Sequence, residues 1–193
     1  MHARRARHRY TYREYLDLEA TSSTRHEYFD GEIYAMAGGT PEHAMLAAAF
    51  ISALDRQLGD GDGRDATSDL KVRVLATGLT TYPDVTVLCG PLERDPESTS
   101  AVVNPTVLVE VLSDSTEAYD RGEKLEHYLQ IPTLQACLLA SHREACVKLW
   151  TRRGEQWQRT EARAGTTLRL EAIGCTLDVG AIYQRALGDA TPR

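Results

Sequence analysis

A carboxylate inside an apolar strand constrains this chain more than any other feature of its sequence. Residues 105–113 are Pro-Thr-Val-Leu-Val-Glu-Val-Leu-Ser, so Glu110 is the one charged residue in a run of leucines and β-branched residues. Such a run is typical of a strand that is covered on both faces in an α/β protein. Because an isolated buried carboxylate is strongly unfavourable, Glu110 needs a cationic partner, a proton or a metal ion.

A second carboxylate stands at the start of another apolar run. Asp84 follows Tyr82-Pro83 and precedes Val85-Thr86-Val87-Leu88. Sequential strands are often neighbours in a sheet, which would bring Asp84 beside Glu110. Two carboxylates completed by water suit Mg²⁺ or Mn²⁺, and such a cation can hold a phosphate oxygen and activate a water. The pair therefore predicts a site for Mg²⁺ or Mn²⁺.

The segment after the Glu110 strand supplies a candidate cation. Ser115-Thr116-Glu117 predicts the start of a helix that continues to Leu129. Lys124 is one of three lysines in the chain, and Asp120 and Tyr128 lie four residues before and after it. Residues with this spacing share one face of an α-helix. We expect Lys124 to position a water or to stabilise charge that develops on a phosphate.

Hydrophobic periodicity and turn residues predict one α/β domain over residues 12–190, preceded by a flexible basic tail over residues 1–11. The tail is either a phosphate-binding arm or a disordered leader. The interval from Glu93 to Asn104 is predicted to be a polar loop. The predicted helices cover 12–18, 42–58, 117–129 and 179–187; the predicted strands cover a hairpin at 27–34 and the runs 70–75, 82–88, 106–112, 135–139, 146–151, 155–160 and 168–170.

Composition excludes several classes of protein. The net charge of −6 over 193 residues gives no support for broad nucleic-acid affinity through a basic surface. No apolar stretch approaches the roughly 20 residues that span a bilayer, and the chain starts without a secretory segment, so a cytoplasmic location without membrane partners is expected. The four cysteines lack metal-binding spacing and are expected to be reduced core residues: Cys89, Cys137, Cys146 and Cys175.

Six segments of the chain resemble the Uma-type restriction endonucleases, a bacterial family within the PD-(D/E)XK nuclease superfamily. They occur in the family's order and cover most of residues 12–160. The resemblance implies a restriction-endonuclease-like fold of the α/β (α+β) class, in which a mixed β-sheet is flanked by helices. It also implies metal-dependent hydrolysis of nucleic-acid phosphodiester bonds. The matching segments are 27–36, 40–43, 68–74, 82–90, 107–116 and 119–139.

The resemblance assigns roles to individual residues. Asp84 matches the family's strand aspartate and Glu110 the glutamate of its second acidic motif, both as catalytic metal ligands. The superfamily's usual lysine, two residues after this glutamate, is replaced by Leu112. Lys124 matches the lysine that families of this type take from the following helix. Accessory candidates on other family motifs are Glu27, His43 and Asp120.

Three functions are compatible with this pattern. The first is a Mg²⁺- or Mn²⁺-dependent endonuclease acting on nucleic acid, with DNA as the expected substrate. Because one site cuts one strand, a homodimer is expected for this function. The second is a catalytically inactive nuclease-fold module that binds nucleic acid or a partner, which Leu112 and the acidic net charge favour. The third is a metal phosphoesterase acting on small molecules.

Overall fold

The computed structural model describes residues 8–36 and 38–188. Its helices are α1 (Tyr12–Thr21), α2 (Pro41–Leu58), α3 (Glu117–Tyr119), α4 (Leu125–Tyr128) and α5 (Val179–Leu187), with a π-helical turn (Asp120–Lys124) between α3 and α4 and a 3-10 turn (Glu171–Ile173) before the last strand. Its strands are β1 (His26–Phe29), β2 (Glu32–Ala35), β3 (Gly63–Thr67), β4 (Lys71–Arg73), β5 (Thr80–Thr81), β6 (Val85–Cys89), β7 (Arg94–Asp95), β8 (Ser98–Val102), β9 (Val107–Val111), β10 (Ala136–Ala140), β11 (Cys146–Arg153), β12 (Gln156–Arg163), β13 (Thr167–Leu170) and β14 (Cys175–Asp178).

A central mixed sheet carries the main core. Its strand order is β12-β11-β10-β9-β6-β3, in which β9 pairs in parallel with β10 and antiparallel with β6. Val107, Val109 and Val111 join the apolar cluster that also contains the buried faces of α2 and α5. Leu108 and Leu112 join the cluster that contains residues of α4. The strand is thus covered on both faces, as its sequence predicts.

A second sheet, with the order β2-β1-β5-β4-β8-β7, lies under α1. The helix begins at a capping box in which the Thr11 side chain accepts from the Glu14 backbone while the Glu14 carboxylate accepts from the Thr11 backbone. Tyr12 and Tyr15 pack against Tyr28 of β1, with ring centroids 5.6 and 5.2 Å apart. Aromatic contacts therefore fix α1 on the sheet that supplies one carboxylate of the candidate site.

The predicted hairpin and helices are confirmed, with local differences. Asp30-Gly31 forms the turn between β1 and β2, and Thr40 caps α2 by accepting a hydrogen bond from the His43 backbone. The four predicted core cysteines are free, three buried and one half-buried. Within the part of the chain that the structure describes, no helix is long and apolar enough to cross a membrane.

One prediction of irregular structure is wrong, and one strand was not predicted. The predicted polar loop between Glu93 and Asn104 contains β7 and β8, because β8 pairs in parallel with β4 and Val102 lies opposite Val72. β3 lies in a segment without a predicted strand and pairs antiparallel with β6. β3, β7 and the first half of β8 are polar. Pairing with neighbouring strands, rather than a local hydrophobic pattern, therefore determines the conformation of these segments.

The structure describes only residues 8–11 of the predicted N-terminal tail, and residues 1–7 lie outside the described ranges. Arg9 donates from Nη1 to the Asp30 carboxylate at 2.5 Å, and the Tyr10 backbone donates to the Gly31 carbonyl at 2.8 Å. The chain is thus attached to the β1–β2 turn from residue 9 onward. The end of the predicted domain, residues 189 and 190, also lies outside the described residues.

Candidate active site

Asp84 and Glu110 face each other across two paired strands. Val85 lies opposite Val109 in the antiparallel pairing of β6 with β9, and extending this register by one residue places Asp84 opposite Glu110. The Val111 backbone donates a hydrogen bond to Asp84 Oδ2 at 2.7 Å. The predicted pairing of these two strands is confirmed. Directly opposed residues have their Cβ atoms within about 5.5 Å, so the two carboxylates are neighbours on one face of the sheet.

Glu110 is buried and has two partners inside the protein. Its residue is 4% exposed. Oε1 lies 3.0 Å from the Lys124 ammonium and accepts a hydrogen bond from the Tyr128 hydroxyl at 2.5 Å. Burial raises the pKa of Glu110, and the charges of Asp84 and Asp120 add to this effect. Lys124 and Tyr128 oppose it, and the pKa rises to about 8.

Lys124 is surrounded by carboxylates. Its Nζ lies 3.0 Å from Glu27 Oε1, 3.0 Å from Glu110 Oε1 and 3.5 Å from Asp120 Oδ1. Burial lowers the pKa of Lys124, but the neighbouring anionic groups outweigh burial and raise it well above its ordinary value. The ammonium therefore keeps its proton and supplies a fixed positive charge at the centre of the site.

The helical segment that carries Lys124 is not a continuous α-helix. The predicted regular helix is corrected by the π-helical turn Asp120–Lys124, which separates α3 from α4. Such single turns widen the helix and recur at functional sites. Lys124 still lies near both predicted neighbours, since Asp120 forms its ion pair and the Tyr128 ring centroid is 6.0 Å from Nζ. Asp120 also accepts a hydrogen bond from Thr116 at 2.5 Å.

Glu27 brings the second sheet into the site. It lies on β1, and the Thr81 hydroxyl of β5 donates a hydrogen bond to Oε1, the same oxygen that contacts Lys124. Thr81 is fully buried and was not predicted as part of the site. Its signal was absent from the sequence, because it depends on how β5 pairs with β1. The site consequently lies at the junction of the two sheets.

His43 approaches Asp84 from the first turn of α2. Its Nε2 lies 3.2 Å from Asp84 Oδ2. The hydrogen bond to Asp84 is the main cause that raises the pKa of His43, against the opposing effect of burial. A side chain at Gly39 would interfere, since a Cβ there would lie 2.8 Å from His43 Nδ1. The six residues predicted for the site thus form two neighbouring groups, His43 with Asp84 and Lys124 with Glu27, Glu110 and Asp120, which meet where Asp84 stands opposite Glu110.

Comparison with known proteins places the chain in a family. The family model Uma2, described as "Putative restriction endonuclease", matches residues 12–180. The chain belongs to the Uma2 family. An uncharacterized protein of Synechocystis sp. is 40% identical over 172 residues, which is 89% of this chain and 90% of that protein. A second uncharacterized Synechocystis protein is 32% identical over 149 residues, or 77% of this chain and 84% of that one.

A solved structure shows the same fold. A protein from Anabaena variabilis, titled a putative nuclease belonging to DUF820, matches with a TM-score of 0.76. The match covers 91% of this chain and 98% of that one at 16% sequence identity. At this identity the similarity concerns the fold alone. The predicted fold, a mixed sheet flanked by helices as in a nuclease, is confirmed.

Leu112, two residues after Glu110, belongs to the core. Leu112 is 1% exposed and packs in the apolar cluster with Leu125 and Leu139. The only lysine ammonium that contacts Glu110 within the described ranges is that of Lys124. Tyr128, which holds the same carboxylate, was not assigned a site role from the sequence. Its spacing of four residues from Lys124 is the signal that could have identified it.

The donor set fits a hard divalent cation of the magnesium type. Over residues 8–36 and 38–188, no group of three His, Cys, Asp or Glu side chains is arranged to hold a metal ion. Asp84 and Glu110 form a pair, which suits Mg²⁺ because this ion retains water and takes further oxygens from a phosphate. The site has more carboxylates than cationic groups, and the charges of Asp84 and Asp120 add to the burial that raises the pKa of Glu110. A divalent cation would neutralise the excess.

Proposed function

We propose that this Uma2 chain is a metal-dependent endonuclease that hydrolyses phosphodiester bonds in nucleic acid, with DNA as its substrate. Asp84 and Glu110 would hold Mg²⁺ or Mn²⁺. The observation that carries the proposal is the position of the Lys124 ammonium, 3.0 Å from a buried glutamate that stands opposite a second carboxylate. Membership of the Uma2 family and the nuclease-like fold support the same reaction class.

The residues around the cation position would have two roles: some supply charge, and others hold the charged groups in position. A bound divalent cation supplies Lewis-acid charge next to the phosphate and lowers the pKa of a water. Lys124 supplies a second positive charge, which opposes the negative charge that develops on the phosphate during attack. Glu27 and Asp120 contact its ammonium and so fix its position before the substrate arrives. Such preorganised charge needs no rearrangement during the reaction.

Asp84 would be oriented by two groups on its Oδ2 atom, the Val111 backbone amide and the His43 ring. The contacts described above use Oδ2 of Asp84 and Oε1 of Glu110. This arrangement is consistent with the second oxygen of each carboxylate serving as a metal ligand. His43 acts here as a positioning residue rather than as a direct participant in the reaction.

Cutting assays test the proposal. The purified protein is incubated with supercoiled plasmid, linear duplex and single-stranded DNA in the presence of Mn²⁺, Mg²⁺ or EDTA. We expect cutting that requires the cation and falls at least about 10²-fold in Asp84→Asn and in Glu110→Gln, because each variant loses a metal ligand. Glu161→Gln, on the edge strand β12, serves as the matched control and should cut like the wild type. Absence of cutting on every substrate, or full activity in both site variants, would contradict the proposal.

The proposed endonuclease would act as a homodimer when it cuts both strands. One site per chain nicks one strand, so a two-fold dimer is the simplest arrangement that produces a double-strand break. Sedimentation velocity together with the ratio of nicked to linear plasmid distinguishes this case. A monomer that releases only nicked circles would restrict the proposal to a nickase.

A second candidate is an inactive nuclease-fold binding module. The observation that favours it is the burial of Lys124 among three carboxylates, with Leu112 at the usual lysine position. Calorimetric titration with Mn²⁺ separates the two functions. Binding that disappears in Asp84→Asn supports the nuclease, whereas a folded wild type that takes up no Mn²⁺ supports the module. A small-molecule phosphoesterase would instead cleave an aryl phosphodiester and leave DNA intact.

A further inference from the structure

A cleft of about 620 Å³ lies outside the candidate active site. It is lined by residues of α1, of the loop before β1, of β4 and of β8, and we name it the Lys71 cleft after its most buried cation. Four carboxylates also line it; Asp17, Asp69 and Glu97 are paired with arginines, and Glu19 is described below. His26 and Tyr82 bond to Glu19, which lines the cleft, whereas their chain neighbours Glu27 and Thr81 face the candidate active site. Because successive residues of a strand point to opposite faces, the two sites are separated by the strand β1.

Lys71 is a buried cation without an anionic partner. Its residue is 5% exposed, and it forms no ion pair with any residue in the described ranges. Its Nζ lies 5.2 Å from the ring centroid of Tyr15 and 5.6 Å from that of Tyr82. Burial lowers the pKa of Lys71, and the charges of Glu19 and Asp95 offset this effect only in part. This environment contrasts with that of Lys124, which has three carboxylates around it.

The two carboxylates whose charges act on Lys71, Glu19 and Asp95, already have other donors; Asp95 accepts from the Tyr12 hydroxyl and lies 3.5 Å from Arg73. Glu19 accepts from the Tyr82 hydroxyl at 2.5 Å and from the His26 backbone at 3.2 Å, while its other oxygen lies 3.0 Å from His26 Nδ1. It is 7% exposed at its side chain and is held within this buried cluster. The charge of Lys71 is thus left for a group that enters from the cleft.

The rim of the cleft adds two guanidinium groups. Arg13 pairs with Asp17 at 3.2 Å and Arg25 pairs with Asp69 at 2.5 Å, and all four side chains are substantially exposed. Exposed ion pairs of this kind contribute little to stability, so the Arg13 guanidinium can turn toward a ligand. Arg25 also donates to the Ser68 backbone and hydroxyl and stands over the Tyr82 ring, so its guanidinium is held at the rim. Hydroxyl groups complete the wall of the cleft: Ser22, Ser23, Thr24, Ser98, Thr99 and Ser100.

We propose that the Lys71 cleft binds a small phosphate monoester, whose phosphate group is neutralised by the Lys71 ammonium. A phosphate offers more acceptor oxygens than a carboxylate, which matches one ammonium, two guanidiniums at the rim and several hydroxyl donors. The volume of the cleft lies within the range of small-molecule sites and accommodates a nucleotide. The phosphate belongs either to a free nucleotide or to the 5′ end of a nucleic-acid strand.

Calorimetry in EDTA tests this site without a contribution from a metal at the candidate active site. AMP and inorganic phosphate should bind the wild type and raise its Tm, whereas adenosine should do neither. In Lys71→Met, binding should weaken at least about tenfold, because the charge is removed while the side chain keeps its length. Arg13→Gln should weaken binding by a smaller factor. Glu110→Gln should bind AMP like the wild type, which separates this proposal from the proposed nuclease function.

The stability of Lys71→Met provides a second readout. Because it replaces a poorly compensated buried charge by an apolar chain, its Tm without ligand should equal or exceed that of the wild type. A short oligonucleotide with a 5′-phosphate should be compared with AMP and with the same oligonucleotide without the phosphate. If the phosphorylated oligonucleotide binds more tightly than both, a strand end is the source of the phosphate. Failure of AMP and phosphate to bind the wild type would overturn the proposal. So would unchanged binding in both Lys71→Met and Arg13→Gln.

Discussion

Two buried lysines in this chain have opposite surroundings, and their consequences differ. Lys124 is held among Glu27, Glu110 and Asp120, whereas Lys71 lies between aromatic rings without an ion pair to any described residue. Removing one member of a buried ionic group leaves the others uncompensated, while removing an isolated buried charge relieves a desolvation cost. The first lysine therefore contributes to stability through its partners.

At this scale, we predict that Lys124→Met destabilises the protein by about 3–5 kcal/mol, because buried carboxylates lose their shared cation. Urea-induced unfolding of the variant measures the loss. Lys148→Met is the control, since Lys148 lies half-buried on β11 outside this network, and it should stay within about 0.5 kcal/mol of the wild type.

Adding Glu110→Gln to Lys124→Met should recover part of the lost stability, because the second change removes one of the uncompensated charges. The effects of two substitutions on stability are not additive when both residues belong to one ionic network. A Lys124→Met variant as stable as the wild type would show that the carboxylates are protonated or solvated instead. In that case the ammonium could not be the fixed charge that the proposed nuclease requires.

A site residue can be predicted from the sequence when the residues next to it in the chain mark its position. Asp84 and Glu110 stand in apolar runs, so their placement on paired strands is predictable from the sequence. Glu27 and His43 carried no local pattern of this kind and entered the prediction through the resemblance to the Uma-type family. Thr81 escaped prediction because its contact with Glu27 joins strands that are distant in the chain.

Among the elements, the π-helical turn Asp120–Lys124 is the feature that an amphipathic pattern could not predict. A pattern of apolar and polar residues gives the position of a helix, but a single widened turn changes the direction of side chains without changing that pattern. The turn places Lys124 Nζ 3.5 Å from Asp120 Oδ1, and the Tyr128 hydroxyl donates a hydrogen bond to Glu110 Oε1. The polar strands β7 and β8 were missed for a related reason, since their partners lie in other parts of the chain.

We predict that deleting Gly122 abolishes cutting while the protein keeps its secondary structure. Removing one residue from the π-helical turn would restore a regular α-helix and change the direction in which the Lys124 side chain leaves it. Asp120 would lie three rather than four residues before Lys124, so the ammonium would be held less firmly beside Glu110. Far-UV circular dichroism and the plasmid assay measure the two effects.

Gly122→Ala is the matched control for this deletion. No atom outside the local helix lies within 4 Å of a Cβ added at Gly122, so an alanine fits without a clash. The control should stabilise the protein by about 0.5–1 kcal/mol, because alanine loses less conformational entropy than glycine in a helix. Full cutting by the deletion variant would show that the π-helical turn has no role in the site.

For the whole molecule, the acidic balance of charge bears on how a nucleic acid could approach. The chain carries a net charge of −6, and the candidate site holds Asp84, Glu110, Glu27 and Asp120. A phosphate backbone would meet repulsion at this site unless a cation were present. The central sheet with Asp84 and Glu110 is predictable from its apolar strands, but the addition of Glu27 results from the junction of two sheets, which no local pattern encodes.

We therefore predict that binding of duplex DNA requires a divalent cation. Fluorescence anisotropy with a labelled duplex should show binding in Ca²⁺ at least about tenfold tighter than in EDTA at constant ionic strength. Ca²⁺ is the probe because it also takes carboxylate and phosphate oxygens as ligands. The double variant Asp84→Asn/Glu110→Gln should bind the duplex in EDTA more tightly than the wild type and should respond little to Ca²⁺.

A control of equal charge distinguishes the site from the molecule as a whole. The double variant Glu155→Gln/Glu161→Gln also replaces two acidic residues by neutral ones, but in the β11–β12 hairpin at the edge of the central sheet. If repulsion arises at the candidate site, this control should retain the full response to Ca²⁺, because screening confines the effect of exposed charges to about a Debye length. If both double variants gain the same affinity in EDTA, the net charge of the protein governs binding. Equal wild-type affinity in Ca²⁺ and EDTA would instead place the DNA on a surface away from Asp84 and Glu110.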